Sequence, residues 1–429
     1  MPSHESIDNQ QSSLIDKQAY SFDRNDIGWV IMSIGMAIGA GIVFLPVQIG
    51  LVGLWVFFAS AIIGYPAMYF FQRLFINTLA KSRECTDYPC VISGYLGKNW
   101  GVLLGLLYFI MLAIWVFVYS TAITNDSASY LHTFGFTTEL LSQDWYYPLG
   151  LITILVLLAS RGEQFLFKVS TILVLTKLGI VAYLGYAMVH LWEPTNVGTI
   201  YSTSLFVKDT IVTLPFTLTS ILFIQTLSPM VIFYRNQKAS VEVARVKAQR
   251  AMTIAFAVLF VTVFFYAVSF TLAMGYEEAE RAFKQNISAL AIAAQFLPAG
   301  LAPILGVVLN IFAVVTAFFG VYLGFSEAIR GLVKNFVKRY RQDLPWSEPK
   351  LNTGIALFII LLAWSVVILQ VPILYFTSIS SPVFGLIGCL IPAYLVYRVE
   401  SLSSLRGPDL PLIVITGILL VVSPFFAFV

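Results

Sequence analysis

Lys177 stands in the apolar stretch "STILVLTKLGIV" (170–181), roughly 12 Å at helical rise into a segment otherwise fit to cross a bilayer. Every Asp and Glu is expected in a loop or near a span end, which leaves this ammonium with no acidic partner in the membrane. A buried unpaired ammonium is costly, so Lys177 either exchanges a proton or lifts its charge to the interface on its four-carbon stem. A second unusual stretch is "GMAIGAGIVFLP" (35–46), with three glycines and a proline inside another apolar run. Two readings stand side by side. Gly35 and Gly39, four apart, can pack helices closely, or the helix breaks at Gly39, Ala40 and Gly41 and turns free backbone N–H groups toward an anion such as a carboxylate. A third stretch, "IVTLPFTLTSILFIQTLSPMVIFY" (211–234), carries Pro215 toward one end and the polar cluster Gln225, Thr226 and Ser228 just before Pro229. Pro229 has no N–H to give its preceding turn, so a second break is expected there. Donors at one break and acceptors at the other are what an amino acid zwitterion needs.

The elements that must position these groups are membrane helices. The 429 residues are 59% hydrophobic and 11% charged with 35 Phe, more apolar surface than one soluble core can hide. Eleven apolar segments are long enough to be counted as spans: 27–50, 52–72, 101–124, 146–160, 169–191, 211–234, 251–274, 302–324, 351–369, 373–396 and 410–428. The fourth is short, and the loop between the second and third has room for an interfacial helix. The expected class is an all-α polytopic membrane protein. Residues 1–26 form a polar cytoplasmic tail rather than a cleaved leader, 27–191 a first five-helix half, 192–396 a second, and 397–429 an extra eleventh helix. Breaks in the first and sixth spans fall at corresponding places in two halves, the mark of an inverted five-plus-five repeat. With the N-terminus inside, 21 of the 25 Lys and Arg fall on the cytoplasmic face, and the positive-inside rule then places the C-terminus outside.

Other motifs are weighed down by position. "YRNQKASVEVARVKAQR" (234–250) and "RGLVKNFVKRYRQDLPWSEPK" (330–350) read as topology signals near anionic lipid heads, not as nucleic-acid patches. The loop 275–296 is expected to fold as short helices over the outer face, and its "NIS" at Asn286 reads as a polar loop element rather than a glycosylation acceptor. Cys85 and Cys90 lie in a cytoplasmic loop and Cys389 in a span, a weak basis for a metal or a disulfide. His4, His132 and His190 lie in the tail or near the outer face and no span carries an acidic pair, which argues against an enzyme and against a metal site.

Several separated motifs carry a resemblance. "AIGAGIVFLP" is similar to the glycine-rich first helix of the amino acid–polyamine–organocation superfamily, and "YSTAITN" (119–125), "RGEQFLFK" (161–168), "QNIS" (285–288) and "FGVYLG" (319–324) resemble the bacterial hydroxy and aromatic amino acid permeases. The resemblance runs from about residue 24 to the C-terminus. It implies a bacterial inner-membrane symporter, N-terminus cytoplasmic and C-terminus periplasmic, that imports a small neutral amino acid by alternating access: serine first, threonine or cysteine next. It also implies no cofactor, with a proton gradient as the drive and sodium as the alternative. By the same resemblance Ile38, Gly39, Ala40, Gly41 and Ile42 would hold the substrate carboxylate, Gln225, Thr226 and Ser228 the amino group and side chain, and Tyr119 and Ser120 would close the pocket. In proton-coupled carriers of this fold a lysine on the fifth helix can occupy the cation place of sodium-coupled relatives, and the neighbours implied for Lys177 are the Gly35 and Ile38 carbonyls and Thr316. Serine and threonine permeases carry "TKSF" where this chain has "TAFF" (316–319), and Lys177 can replace that charge. Aromatic substrates, sodium coupling and a non-transporting amino acid receptor are the competing readings; the short cytoplasmic loops count against the receptor. The partners implied are the amino acid, protons and lipid, with no nucleic acid, and the oligomeric state stays open.

Overall fold

The computed structural model describes residues 20–82, 88–160, 163–200, 202–237, 240–296, 300–340 and 348–427. Most of the polar tail, Cys85, Arg161 and Gly162 therefore lie outside the described residues. Among the described residues all regular structure is helical. The first span is split into α1 (Arg24–Ala37) and α2 (Ala40–Val52), followed by α3 (Leu54–Ala80), the short α4 (Tyr88–Leu96) in the second loop, and α5 (Lys98–Thr133). Next come α6 (Tyr146–Ala159), α7 (Glu163–Ala187), the second split pair α8 (Thr203–Thr219) and α9 (Ile224–Asn236), and α10 (Val241–Lys284). The chain closes with α11 (Ala289–Phe296), α12 (Leu301–Tyr340), α13 (Glu348–Ile368), α14 (Ile373–Phe384), α15 (Ile391–Arg398) and α16 (Leu410–Ala427). Nine helices among the described residues are long and apolar enough to cross a bilayer, or ten when the bent pair α1/α2 counts as one span. The expected fourth span, α6, is a shorter apolar helix of 14 residues.

Polar side chains set where these apolar helices start. Asp23 accepts from the Asn25 and Asp26 N–H groups at 2.7 and 3.2 Å, and Asp26 accepts back from the Asp23 N–H at 2.8 Å, a reciprocal cap at the start of α1. Ser202 and Ser240 cap α8 and α10 in one direction only, each accepting a backbone N–H at 3.2 Å. The loop after the seventh span is helical, as expected. The tenth helix turns at Gly275, whose φ of 67° suits a residue with no Cβ, and runs on to Lys284 before α11 begins.

The broken first span lies at the centre. Ile38, Ile42, Leu45 and Ile49 are fully buried, and α1/α2 pack against α7, α8, α9 and α10. Outward faces of the surrounding helices expose Ile62, Val102, Leu157, Val261 and Leu361, an apolar surface that only lipid can cover. One end of the bundle is closed around the α1 cap. Lys247 of α10 donates to Asp23 at 2.6 Å and to the buried Asp26 at 3.1 Å, and the Tyr234 hydroxyl of α9 donates to the other Asp26 oxygen. The Lys247 hydrogen bond holds the Asp23 carboxyl below the usual carboxylate range.

Candidate substrate and cation site

The first break frees two carbonyls. In an unbroken helix the Gly35 and Ile38 carbonyls would accept from the Gly39 and Ile42 N–H groups four residues on. Here Gly39 N–H turns to the Ala37 carbonyl at 2.9 Å, and Ile42 N–H to the Gly39 carbonyl at 3.2 Å. Ile38 (ψ 84°) and Gly39 (φ −141°, ψ −151°) leave the helical region, and the two halves meet at 45°. The unwound stretch is thus shorter than expected. Only Ile38 and Gly39 are non-helical, while Ala40, Gly41 and Ile42 form the first turn of α2, whose leading N–H groups have no partner within the helix.

Lys177 takes the two carbonyls that the break releases. Its ammonium donates to the Gly35 carbonyl at 3.3 Å, the Ile38 carbonyl at 3.2 Å and the Thr316 hydroxyl at 3.1 Å. Lys177 is 1% exposed, so its stem does not carry the charge out to the interface, and no ion pair reaches it among the described residues. One turn earlier on α7, Val174 lies where a Cβ on Gly35 would have to go. The glycines therefore serve the break and close packing together, and the two sequence readings of this stretch are not exclusive.

The second break lies earlier than expected. Span six opens at Ser220–Phe223, and Gln225, Thr226 and Ser228 sit in the first turns of α9 rather than in an unwound segment. Thr219 and Ser220 turn their hydroxyls back onto the Pro215 and Thr217 carbonyls at 2.8 and 2.7 Å, which satisfies acceptors at the end of α8. Pro229 is the sixth residue of α9 and deprives only the Gln225 carbonyl of its donor, a loss that a helix start absorbs. The two breaks touch: a Cβ on Gly41 would fall on the Thr219 carbonyl, with the Ser220 Cα 3.1 Å away. Thr226 bonds Ser33 of α1 at 3.0 Å, tying the second break to the first span. Gln225 is half-buried with its side-chain oxygen unpartnered among the described residues, and Ser228 is half-buried. Tyr119 places its hydroxyl against Gly39, 3.0 Å from where a Cβ would stand, and the neighbouring Ser120 is fully buried with its hydroxyl unpartnered among the described residues. Of the residues marked in the sequence, the fold gathers Lys177, Gly35, Ile38 and Thr316 in one cluster, sets Tyr119 on Gly39 and ties Thr226 to Ser33.

A further polar cluster went unseen in the sequence. The third span runs on to Thr133, so Asp126 lies inside α5 rather than beyond its end. Its carboxylate, 1% exposed, accepts from the Ser288 N–H at 2.8 Å and from Asn310 of α12 at 2.6 Å. Asn310 also bonds the Tyr130 hydroxyl at 2.8 Å and the Ser288 hydroxyl at 3.0 Å. Asn286 is structural: it is 8% exposed, its amide donates to the Val371 carbonyl at 3.0 Å, and its side-chain oxygen accepts the Ile373 N–H at 2.8 Å. An Asp two residues past the end of an expected span gives no sign of burial; only partners 162 and 184 residues away reveal it.

No family model matches the chain. The chain is 66% identical over 415 residues to the probable serine transporter of Escherichia coli strain K12, covering 96% of this chain and 94% of that protein. It belongs to the hydroxy and aromatic amino acid permease family. This permease is also 27% identical over 428 residues to the serine transporter SdaC of the same organism, across 97% of the permease and 98% of SdaC. Both relatives are named as transporters, and the permease is not an enzyme. In the crystal structure of MhsT in complex with L-phenylalanine the chain takes a similar path, with a TM-score of 0.55 at 14% identity, covering 95% of the permease and 98% of MhsT. At that identity the likeness concerns fold alone.

Proposed function

We propose that the chain is an inner-membrane secondary transporter that imports a small neutral amino acid, serine first and threonine or cysteine next, in symport with protons. The observation that carries this reading is the Lys177 ammonium seated on the two carbonyls released by the first break, with Thr316 as its third partner. Carbonyls freed at mid-membrane are suited to a cation. A lysine ammonium fills that place with a charge that can be gained or lost with a proton, so no metal ion is required. Sodium coupling would need Lys177 to vacate the carbonyls, and its burial on three acceptors argues against that.

Beside the cation place, the first-turn N–H groups of Ala40 and Gly41 suit a substrate carboxylate, and the Tyr119 hydroxyl stands close enough to contact it. Gln225, Thr226 and Ser228 with Ser120 supply acceptors and donors for the amino group and a short hydroxylated side chain. Substrate and proton would bind with the outer side open, and the two split spans would then rock with their neighbours to open the site inward. Eleven spans result when α6 and the α1/α2 pair are each counted. Five-plus-five inverted halves with one added helix, N-terminus cytoplasmic and C-terminus periplasmic, complete the proposed architecture, supported by split helices at the first and sixth positions and by basic loops on one side.

Uptake of radiolabelled serine into proteoliposomes, competed by unlabelled threonine, cysteine and phenylalanine, tests the substrate. Competition by threonine and cysteine but not phenylalanine is the expected result. Phenylalanine displacing serine at equal concentration would overturn the assignment in favour of an aromatic permease.

A further inference from the structure

On the outer side of the bundle, α3 and α10 run side by side and leave a lipid-facing groove of about 600 Å³ walled by aromatic rings. Tyr65 meets Phe260 edge-on at 5.4 Å between centroids, and Tyr69 meets Phe256 at 5.3 Å. The groove extends along α3 from Phe58 to Phe70, about 18 Å at helical rise and close to the depth of one hydrocarbon leaflet, about 15 Å. At Phe70 it meets a second cavity of about 550 Å³, lined by Arg73, Arg245 and Arg406 with Asn77 and Asp409. Arg73 and Asn77 continue the same face of α3, three and seven residues beyond Phe70.

The charges in this second cavity do not cancel. Arg245 is paired with Glu242, and Arg406 spends its donors on the Val396 and Tyr397 carbonyls at 3.2 and 3.0 Å, which leaves its charge unneutralised. Arg73 is exposed and makes no ion pair or hydrogen bond to the protein among the described residues. Two guanidinium groups outside any ion pair among the described residues, Arg73 and Arg406, thus share the cavity with one carboxylate, Asp409. A planar guanidinium fork suits phosphate oxygens.

An apolar channel one leaflet deep that opens into a cationic pocket fits one kind of molecule. We infer that this joint cavity between α3, α10 and the segment 400–409 is a specific site for an anionic phospholipid, its acyl chain along the aromatic groove and its phosphodiester headgroup on Arg73, Arg245 and Arg406. A soluble phosphate would leave the groove unused. A zwitterionic lipid would bring an ammonium into a pocket already positive. The occupant bridges α3 and α10 to the chain before α16, where Lys81 already bonds Ser404 at 2.7 Å. The inference rests on insertion of these helices in a membrane, not on the solute transported.

The test uses the purified, delipidated full chain in neutral detergent, with retained lipid counted by native mass spectrometry and thermal stability read alongside. Phosphatidylglycerol is compared with phosphatidylcholine of the same chains and with inorganic phosphate. The wild type is expected to retain phosphatidylglycerol preferentially and to be stabilised by it, with phosphate giving neither effect. Arg73→Gln should lose roughly fivefold of that preference, and Arg73→Gln with Arg406→Gln more. Lys208→Gln, on another part of the surface, should keep it. Because Arg406 also braces its own segment, Ile62→Trp serves as a second variant. It fills the groove without changing charge and should lower retention of phosphatidylglycerol. Equal retention of the two lipids by the wild type, an undiminished preference in Arg73→Gln, or stabilisation by phosphate alone would each overturn the site. Serine uptake plays no part in the readout, so failure here is separable from failure of the transport reading.

Discussion

The Lys177 ammonium lies 3.2 Å from the carbonyl of Ile38, the residue at which the first membrane span stops being a helix. The break and the lysine explain each other. Without the break the carbonyl would be occupied by a backbone N–H, and without the lysine an acceptor would be bare in the membrane interior.

Thr316 supplies the third partner of Lys177, through a side chain that can be removed cleanly. A hydrogen bond to a charged group contributes about 1.5–3 kcal/mol. Thr316→Ala is therefore expected to cut gradient-driven uptake by roughly tenfold or more, and Thr316→Ser, which keeps the hydroxyl, to preserve it. Equal loss in both variants would mean that the methyl packing of Thr316, not its oxygen, is what matters.

At Gly41 the two breaks meet with no room for a methyl group, because a Cβ there falls on backbone of the Thr219 carbonyl rather than on a movable side chain. Overpacking of this kind costs about 1–3 kcal/mol. Gly41→Ala should lower the thermal midpoint and depress uptake, whereas Gly28→Ala, with nothing within 4 Å of the added carbon, should do neither. An unchanged midpoint in Gly41→Ala would show that the two split spans are not in contact.

Asp126 holds the Ser288 N–H and the Asn310 amide in a buried cluster. Removing the acceptor strands the Ser288 N–H, at about 1–3 kcal/mol, while the Asn310 amide keeps the Tyr130 and Ser288 hydroxyls. Asp126→Ala is expected to destabilise the protein and to raise hydrogen exchange of the backbone at residues 286–290. Asp126→Asn, which keeps one oxygen, should be milder. Exchange there that matches wild type in both variants would remove the tie between α5 and the outer loop.

At the other end, Lys247 is the cation partner of Asp26, which is 1% exposed. Breaking a buried pair by removing one member costs about 3–5 kcal/mol, so Lys247→Met should be strongly destabilising and should raise hydrogen exchange of the backbone in α1. The pH dependence has a definite sign. Lys247 holds the Asp23 carboxyl below its unfolded range, so its contribution is present above the ordinary carboxylate pKa and fades as the pH falls toward the lower folded value. Acid should loosen this end in the wild type and have less effect in Asp23→Asn. Equal acid sensitivity in the two would place the titrating group elsewhere.

Much of this arrangement is legible in the sequence because membrane helices advertise themselves. Apolar length marks the spans, glycine and proline inside one of them mark the first break, and a lone lysine stands out where charge is costly. The second break is misplaced by proline reasoning, since Pro229 so near a helix start disturbs one carbonyl, while hydroxyls at Thr219 and Ser220 end the preceding helix without any striking residue. The clusters around Asp126 and Asp26 are invisible because they depend on partners 162 to 221 residues away, and nothing local separates a buried aspartate from one at a span end.

Serine uptake into proteoliposomes under a proton gradient alone and a sodium gradient alone, for wild type and Lys177→Ala, settles the role of the lysine. Proton-driven accumulation in the wild type that disappears in Lys177→Ala while serine counterflow persists is the predicted result. Sodium-driven accumulation that survives the substitution would contradict it, leaving Lys177 as a brace for the broken helix rather than the group that couples the gradient to transport.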